Sequence, residues 1–160
     1  MTDVAVRALT PADVDACDAI VLSLPYHFGQ EVGRQQCAAA VRAEAGWVCE
    51  LNGLVGGFCT FVRHLDTSAE ITWLAVHADH RGSGLGTRLV DHLATQMAAE
   101  GRRLLLALTV SASDGPDDVE DGYDATRAFY HSAGFVEARD FAGFWGPADT
   151  PVLMVRVLDP

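Results

Sequence analysis

The residues with the clearest chemical potential form a glycine-rich turn near the middle of the chain. Arg81 is followed by Gly84 and Gly86, in the pattern Arg-x-x-Gly-x-Gly, between an apolar run and a helical pattern. Glycines let the backbone come close to a ligand and turn its N–H groups toward it. The N-terminus of the following helix adds partial positive charge. The sequence therefore predicts an anion site suited to a pyrophosphate.

This turn differs from the two best-known phosphate-binding loops. Its spacing, Gly82-x-Gly84-x-Gly86, is not the Gly-x-Gly-x-x-Gly of dinucleotide-binding folds, and it follows a mid-chain strand. All 11 basic residues are Arg, which excludes a P-loop NTPase and Schiff-base chemistry because both depend on lysine. With 22 Asp and Glu, the 160-residue chain has a net charge of −11. That charge disfavours nucleic acid binding, which needs a basic surface.

The apolar pattern predicts one α/β domain over residues 1–160, with a mixed sheet and the order β-α-α-β-β-β-α-β-α-β-β. Thr10-Pro11-Ala12-Asp13 is a capping box that begins the first helix. A second helix is predicted from about Glu31 to Ala45, with Gly46 as its C-terminal end. Asn52-Gly53 between two apolar runs indicates a β-hairpin.

The pattern around the glycine-rich turn predicts a strand from Glu70 to His77 before it and a helix from about Gly84 to Glu100 after it. Residues 103–110 form a continuous apolar run, which is typical of a central strand covered on both faces. A short helix and two final strands follow. Their predicted ranges are 125–132, 135–142 and 152–158.

Two segments together resemble the GNAT family of N-acetyltransferases. Val76 to Gly86 resembles the pyrophosphate loop of that family, although Ala78 stands where Pro is common. Asp124 to Phe135 resembles the family's short helix that carries a Tyr and ends in Gly-Phe. The element order also matches, so the resemblance covers nearly the whole chain. It implies a mostly antiparallel sheet in which two central strands, 70–77 and 103–110, splay apart.

The resemblance implies acetyl-CoA as co-substrate, and the residues themselves predict no metal site. The edge of strand Leu74-Ala75-Val76 would pair with the pantetheine amides as an added strand does. A backbone N–H near Val76 would polarise the thioester carbonyl. Backbone N–H groups of the glycine-rich turn would hold the pyrophosphate. That turn comprises Arg81, Gly82, Ser83, Gly84, Leu85, Gly86 and Thr87.

The resemblance also implies a general acid. Tyr130 stands where the family places a Tyr near the cofactor sulfur. A Tyr with the ordinary pKa of ~10 stays protonated and can donate to a thiolate. The alternative is a purely structural role, because Phe129-Tyr130 lies on an amphipathic helix where a core aromatic is common.

The general base is less closely defined by the sequence. Glu70 resembles the family's catalytic carboxylate, and it would act directly or through water. Strand alternation would put it on one face with the even-numbered residues up to Val76. A solvated carboxylate at a strand end is the alternative. His27 and His77 are the reserve candidates, since His titrates near neutral pH.

The resemblance implies a primary amine as acceptor, which attacks acetyl-CoA directly in a ternary complex. An acidic run after residue 110 predicts attraction of a cationic amine, such as a polyamine, an amino sugar or a basic peptide. A solvated loop is the alternative. The second functional reading is a non-catalytic acyl-CoA-binding module, which needs the turn but neither Glu70 nor Tyr130. The acidic run comprises Asp114, Asp117, Asp118, Glu120 and Asp121.

The remaining features predict a cytoplasmic protein without a membrane segment, because no apolar run reaches ~18 residues and the N-terminus lacks a signal pattern. Four cysteines without a Cys-x-x-Cys pair indicate reduced, buried thiols. His77 and His80 lack further ligands of metal-site spacing. Phe141, Phe144 and Trp145 predict either a homodimer contact, which family habit favours, or a wall of the substrate cleft.

Overall fold

The computed structural model describes residues 1–112, 123–147 and 149–159. The strands are β1 (Val4–Ala8), β2 (Ala45–Leu51), β3 (Leu54–Arg63), β4 (Ser68–Val76), β5 (Leu104–Val110), β6 (Val136–Asp140) and β7 (Pro151–Val157). The helices are α1 (Val14–Leu22), α2 (Glu31–Ala43), α3 (Leu85–Ala99) and α4 (Asp124–Ser132). This order along the chain is the predicted one.

The seven strands form one sheet in the order β1-β2-β3-β4-β5-β7-β6. Every neighbouring pair is antiparallel except β4 and β5, which are parallel. The hairpin between β2 and β3 turns at Asn52 and Gly53, whose φ angles are 53° and 81°, as expected for an Asn-Gly turn. The mixed, mostly antiparallel sheet is confirmed.

The two central strands separate along half of their length. The ladder joins Ser68–Ile71 of β4 to Leu104–Ala107 of β5 and ends there. On their outer edges both strands stay paired, β4 with β3 as far as Val76 and β5 with β7 as far as Val110. The splay between the two strands is therefore confirmed, and it leaves one edge of β4 without a neighbouring strand beyond Ile71.

A β-bulge in β4 overturns the predicted face of Glu70. The register shifts so that Thr60 pairs with Trp73 while Phe61 pairs with Ile71, which leaves Thr72 as an extra residue. A bulge reverses the side-chain alternation beyond it. Glu70 therefore lies on the sheet face that carries α1 and α2. Beyond the bulge the even-numbered residues, Leu74 and Val76, pack on the face that carries α3.

The predicted end of the second helix is also wrong. The helix α2 stops at Ala43, and Glu44 is already extended. Gly46 lies inside β2, where a Cβ would come within 2.5 Å of the Cys59 carbonyl oxygen and 2.9 Å of Leu9 Cδ2. Close packing of two strands, rather than the end of a helix, therefore requires this glycine.

Two hydrophobic layers hold the helices on the sheet. One layer packs α1 and α2 on one face and includes Cys17, Ile20 and Phe58. The other packs α3 and α4 on the opposite face and includes Leu93 and Phe135. All four cysteines are buried and unpaired, as predicted. Among the described residues, no helix is both long enough and apolar enough to cross a membrane.

Candidate active site

The separation of β4 and β5 opens a cleft of about 1470 Å³. The edges of both strands form its base. The glycine-rich turn and α4 line it from one side of the sheet, and the segment between α1 and α2 lines it from the other. The first half of α2 and the connection between β6 and β7 also line it. The cleft thus passes through the sheet at the only place where a central strand has a free edge in the described fold.

The glycine-rich turn is part of the lining of this cleft. Gly82 and Gly84 have φ angles of 76° and 84°, and a Cβ on either would meet no atom within 4 Å. Since α3 begins at Leu85, its first N–H groups have no intrahelical acceptor. Arg81 lines the cleft beside them. Backbone donors, the helix dipole and one guanidinium thus converge on open space, as an anion site requires.

Gly86 has a different role from the two glycines before it. Its Cα lies against the ring of Phe129 from α4, so that a Cβ would come within 3.2 Å of Cε2 and 3.3 Å of Cζ. The absence of a side chain lets α4 approach the start of α3. This contact brings Tyr130, the next residue of α4, to the cleft.

Tyr130 is buried, with 6% of its surface exposed, and it lines the cleft. Its ring packs edge-on against Phe129 and Phe135, at centroid distances of 5.4 Å and 5.2 Å. Burial raises the pKa of this phenol well above its ordinary value, and the nearby Cys59 adds to the effect. Tyr130 therefore remains protonated throughout the neutral range, and the described part of the chain gives its hydroxyl no hydrogen-bond partner.

The strand edge that we predicted to bind the cofactor also lines the cleft. The residues of β4 from Ile71 to Val76 all line the cleft, including the predicted Leu74, Ala75 and Val76. Of the predicted turn, only Ser83 is absent from the lining; its hydroxyl donates to the carbonyl of His80 instead. The structure thus brings the strand edge, the turn and Tyr130 together in one cleft.

The predicted base lies apart from that group. Glu70 is outside the cleft lining, at a position where β4 is still paired with β5. Its Oε2 lies 2.5 Å from His64 Nε2. Of the reserve candidates, His27 lines the cleft. His77 does not, and its Nδ1 accepts a hydrogen bond of 3.1 Å from the Asp79 N–H.

Sequence reasoning missed a polar group at the bulge. Thr72 lines the cleft, and its hydroxyl donates to the carboxylate of Glu44, the residue after α2. The hydroxyl of the fully buried Thr60 lies 2.7 Å from that of Thr72. Glu44 and Thr72 are 28 positions apart, and only the packing of α2 on the sheet brings them together. No pattern in a short stretch of sequence predicts such a contact.

The aromatic residues near the C-terminus line the cleft as well. Phe144 and Trp145 are both part of its wall, whereas Phe141 is not. Asp149 adds a carboxylate to the same wall. The predicted acidic run, from Asp114 to Asp121, lies outside the described residues. The part of the chain that the structure describes contains no group of three His, Cys, Asp or Glu residues placed to hold a metal ion.

Several solved structures have the same fold. A protein from Desulfovibrio desulfuricans assigned to the GNAT family matches with a TM-score of 0.81 and 21% identity, over 97% of this chain and 99% of that one. The ribosomal-protein-S18-alanine N-acetyltransferase from Escherichia coli matches with a TM-score of 0.76 and 20% identity, over 99% and 96%. An aminoglycoside 6'-N-acetyltransferase complexed with coenzyme A matches with a TM-score of 0.72 and 16% identity, over 98% of each chain.

At the level of sequence, no curated protein matches this chain significantly. The sequence model of the acetyltransferase (GNAT) domain does match, over residues 42–137. The matched region is more than half of the chain and extends from the end of α2 to the start of β6. It contains the free edge of β4, the glycine-rich turn and α4. The chain belongs to the GNAT family of acetyltransferases.

Proposed function

We propose that the protein is an N-acetyltransferase that transfers the acetyl group of acetyl-CoA to a primary amine by direct attack in a ternary complex. One observation carries the proposal. A free strand edge, an open glycine-rich turn and a protonated Tyr line the same cleft. Each of these features supplies something that thioester aminolysis requires. The coenzyme A in the structure of the aminoglycoside acetyltransferase supports the choice of donor.

The proposed coenzyme site follows from the geometry of the backbone. The N–H groups at the start of α3 and the guanidinium of Arg81 would hold the pyrophosphate. The pantetheine arm would extend along β4 from Val76 toward Thr72, hydrogen-bonding the edge that β5 leaves open, as in strand addition. Four residue steps of ~3.3 Å give a path of ~13 Å along this edge. On this path the thioester would lie near the bulge, at the other end of the edge from Val76, whose neighbouring N–H the family resemblance implied as the polarising donor.

The chemistry needs one new bond and two proton transfers. The amine nitrogen attacks the thioester carbon, and a backbone N–H of β4 stabilises the oxyanion. When the carbon–sulfur bond breaks, the thiolate takes a proton from the Tyr130 hydroxyl. The proton lost by the amine goes to a base, and water carries a proton from that base back to Tyr130, which restores its hydroxyl for the next turnover. Glu70 remains our predicted base, and because it lies outside the cleft lining it would act through water.

We also propose that residues 1–160 form a single N-acetyltransferase domain that acts in the cytoplasm. A homodimer remains a prediction. Sedimentation at working concentration tests it, and a particle of the monomer mass, 17.1 kDa, would contradict it.

Thermal melts with acetyl-CoA, with CoA and without ligand test the coenzyme site. At a concentration near 100 Kd, binding stabilises by ~2.7 kcal/mol. For 160 residues this is a rise in Tm of roughly 8 °C, from an unfolding entropy of ~2.1 cal/mol/K per residue. A folded protein whose Tm does not respond to either ligand would refute the coenzyme site.

Tyr130→Phe separates an enzyme from a binding module. The variant keeps the ring and removes only the hydroxyl, so the acetyl-CoA melt should be unchanged. We expect kcat to fall by about 10²- to 10³-fold, within the range for a lost general acid. If the Tm responds to acetyl-CoA but no amine is acetylated, the protein is the non-catalytic acyl-CoA-binding module.

A further inference from the structure

Resting on the proposed function, we infer that the acceptor is an amine carried on an aromatic ring, which binds against an aromatic wall of the cleft. Asp149, in the same lining, attracts the ammonium form of this amine, and the base of the proposed reaction then takes the proton that frees the nitrogen for attack. The aromatic wall comprises Tyr26, Phe28, Trp73, Tyr123, Phe144 and Trp145. These side chains come from four separate parts of the chain, and the fold brings all of them to one cleft.

Part of the aromatic wall lies on the opposite side of the sheet from α3. Beyond the bulge, Trp73 packs with the layer of α1 and α2, and its ring lies 5.8 Å from that of Phe28 at an angle of 31°. His27, on the same segment as Phe28, packs edge-on against Tyr123 at 5.2 Å. The coenzyme site is at the start of α3. An acceptor that contacts Trp73 therefore approaches the thioester from the other face of the sheet.

A tight turn presents the last two rings. Gly143 and Gly146 form an isolated antiparallel bridge, and both have positive φ angles, 78° and 103°. The two residues between them are Phe144 and Trp145. Their relative exposures are 66% and 46%. A turn that places two large rings at its tip, over a cleft, leaves apolar surface for a ligand to cover.

The turn is also braced from behind. The ring of Phe141 lies 6.2 Å from that of Phe144, and the guanidinium of Arg139 lies 4.7 Å from the Phe141 centroid. Phe141 itself does not line the cleft. From β6 outward, Arg139 therefore supports Phe141, and Phe141 supports Phe144, which lines the cleft. These contacts hold the Phe144 ring in position for a ligand.

The charge of the described lining suits one ammonium group. Its charged side chains are Arg81, at the glycine-rich turn, and Asp149. A polyamine or an amino sugar carries several ammonium groups and needs several carboxylates to match them. Within the part of the lining that the structure describes, one carboxylate among several rings matches a monoamine with an aromatic body, since rings bind both a second ring and an adjacent cation.

Four amines test this assignment with the wild-type protein. We compare kcat/KM, measured as the rate at which the free thiol of CoA appears from acetyl-CoA. The acceptors are phenethylamine, 2-cyclohexylethylamine, spermidine and a short peptide with an N-terminal Phe. Phenethylamine and 2-cyclohexylethylamine have the same number of heavy atoms and differ in aromaticity. We expect phenethylamine to exceed 2-cyclohexylethylamine about 3- to 10-fold, from the strength of ring–ring contacts, and to exceed spermidine by more.

Variants of the aromatic wall test the same assignment independently. Trp145→Ala should raise KM for phenethylamine about 3- to 10-fold more than KM for 2-cyclohexylethylamine, because both amines lose apolar contact and only phenethylamine loses a ring–ring contact. Trp145→Phe should keep most of the preference. Asp149→Asn should raise KM for both amines about 2- to 5-fold, as for a solvent-exposed ion pair. Val136→Ala, at an exposed position of β6, is the control and should change neither.

The outcomes separate this inference from the proposed function. If spermidine or the peptide is the best acceptor, or if the two matched amines react equally, the aromatic acceptor is wrong while the N-acetyltransferase stands. Preference for phenethylamine that survives Trp145→Ala also contradicts the assignment of the wall. If no amine is acetylated although acetyl-CoA raises Tm, both the acceptor assignment and the proposed activity are wrong.

Discussion

Gly84→Ala isolates the contribution of the glycine-rich turn to coenzyme binding. Gly84 has a φ of 84° and precedes the first residue of α3. An L-residue in this region costs about 1–2 kcal/mol, and the lower entropy of the unfolded alanine chain offsets about 0.4–1 kcal/mol of that. We therefore expect a net loss of about 1 kcal/mol in unfolding free energy. For 160 residues this lowers Tm by about 3 °C.

The same substitution should weaken acetyl-CoA binding. If the backbone relaxes away from the left-handed region, the N–H groups at the start of α3 turn away from the pyrophosphate. A hydrogen bond to a charged group contributes about 1.5–3 kcal/mol, so the loss of one raises Kd about tenfold or more. At a concentration of 100 times the wild-type Kd, the tenfold weaker variant would be stabilised by only ~1.4 kcal/mol. The ligand-induced rise in Tm would fall from about 8 °C to about 4 °C.

Gly53→Ala is the matched control. Gly53 has a φ of 81°, and a Cβ there would also meet no atom within 4 Å. It lies in the hairpin between β2 and β3, outside the cleft. We expect the same loss of about 3 °C in Tm without ligand and an unchanged response to acetyl-CoA. If Gly84→Ala lost no more of the response than Gly53→Ala, the turn would not be the pyrophosphate site.

Three further predictions concern stability and thiol reactivity. Gly46→Ala should cost about 1–3 kcal/mol in urea unfolding, because its Cβ would lie 2.5 Å from a carbonyl oxygen; Gly33→Ala, with no atom within 4 Å, should cost nothing. Hydrogen bonds from Arg7 lower the pKa of Asp13 from 3.8 to about 2. The stability from this ionised carboxylate is thus complete above about pH 4 and is lost as the pH falls toward 2; after allowance for solvent screening it is about 1 kcal/mol. Asp13→Asn should remove this part of the acid dependence, and an unchanged dependence would contradict the assignment. Burial raises the pKa of Cys17 and Cys37 to about 12, so the native thiols should not react with a thiol reagent that titrates them in urea; rapid reaction of the folded protein would contradict this.

Elements with a strong local pattern were predictable from the sequence. The Asn52-Gly53 turn, the left-handed Gly134 at the Gly-Phe end of α4, and the capping box at Thr10 all occur as expected. In each case the conformation depends on the chemistry of a few consecutive residues. The splay of β4 and β5 was also expected. That expectation came from the family resemblance, since periodicity does not show where two strands separate.

Features that depend on distant contacts were not predictable. The bulge at Thr72 accompanies hydrogen bonds to Thr60 and Glu44, which lie 12 and 28 positions away. Gly46 is a glycine that could end a helix, and only the approach of Cys59 from the neighbouring strand reveals its role. The aromatic residues of the cleft wall are spread from Tyr26 to Trp145, so no local window shows that they meet.

The four-pair ladder between β4 and β5 has a mechanical consequence. It divides the sheet into a four-stranded panel, β1 to β4, and a three-stranded panel of β5, β7 and β6, joined by a short seam. A coenzyme lying between the panels would extend this seam along the length of β4. Binding of the donor would then be coupled to the rigidity of the contact between β4 and β5. Binding of acetyl-CoA would therefore strengthen the contact between the two groups of strands, and release of CoA would weaken it again.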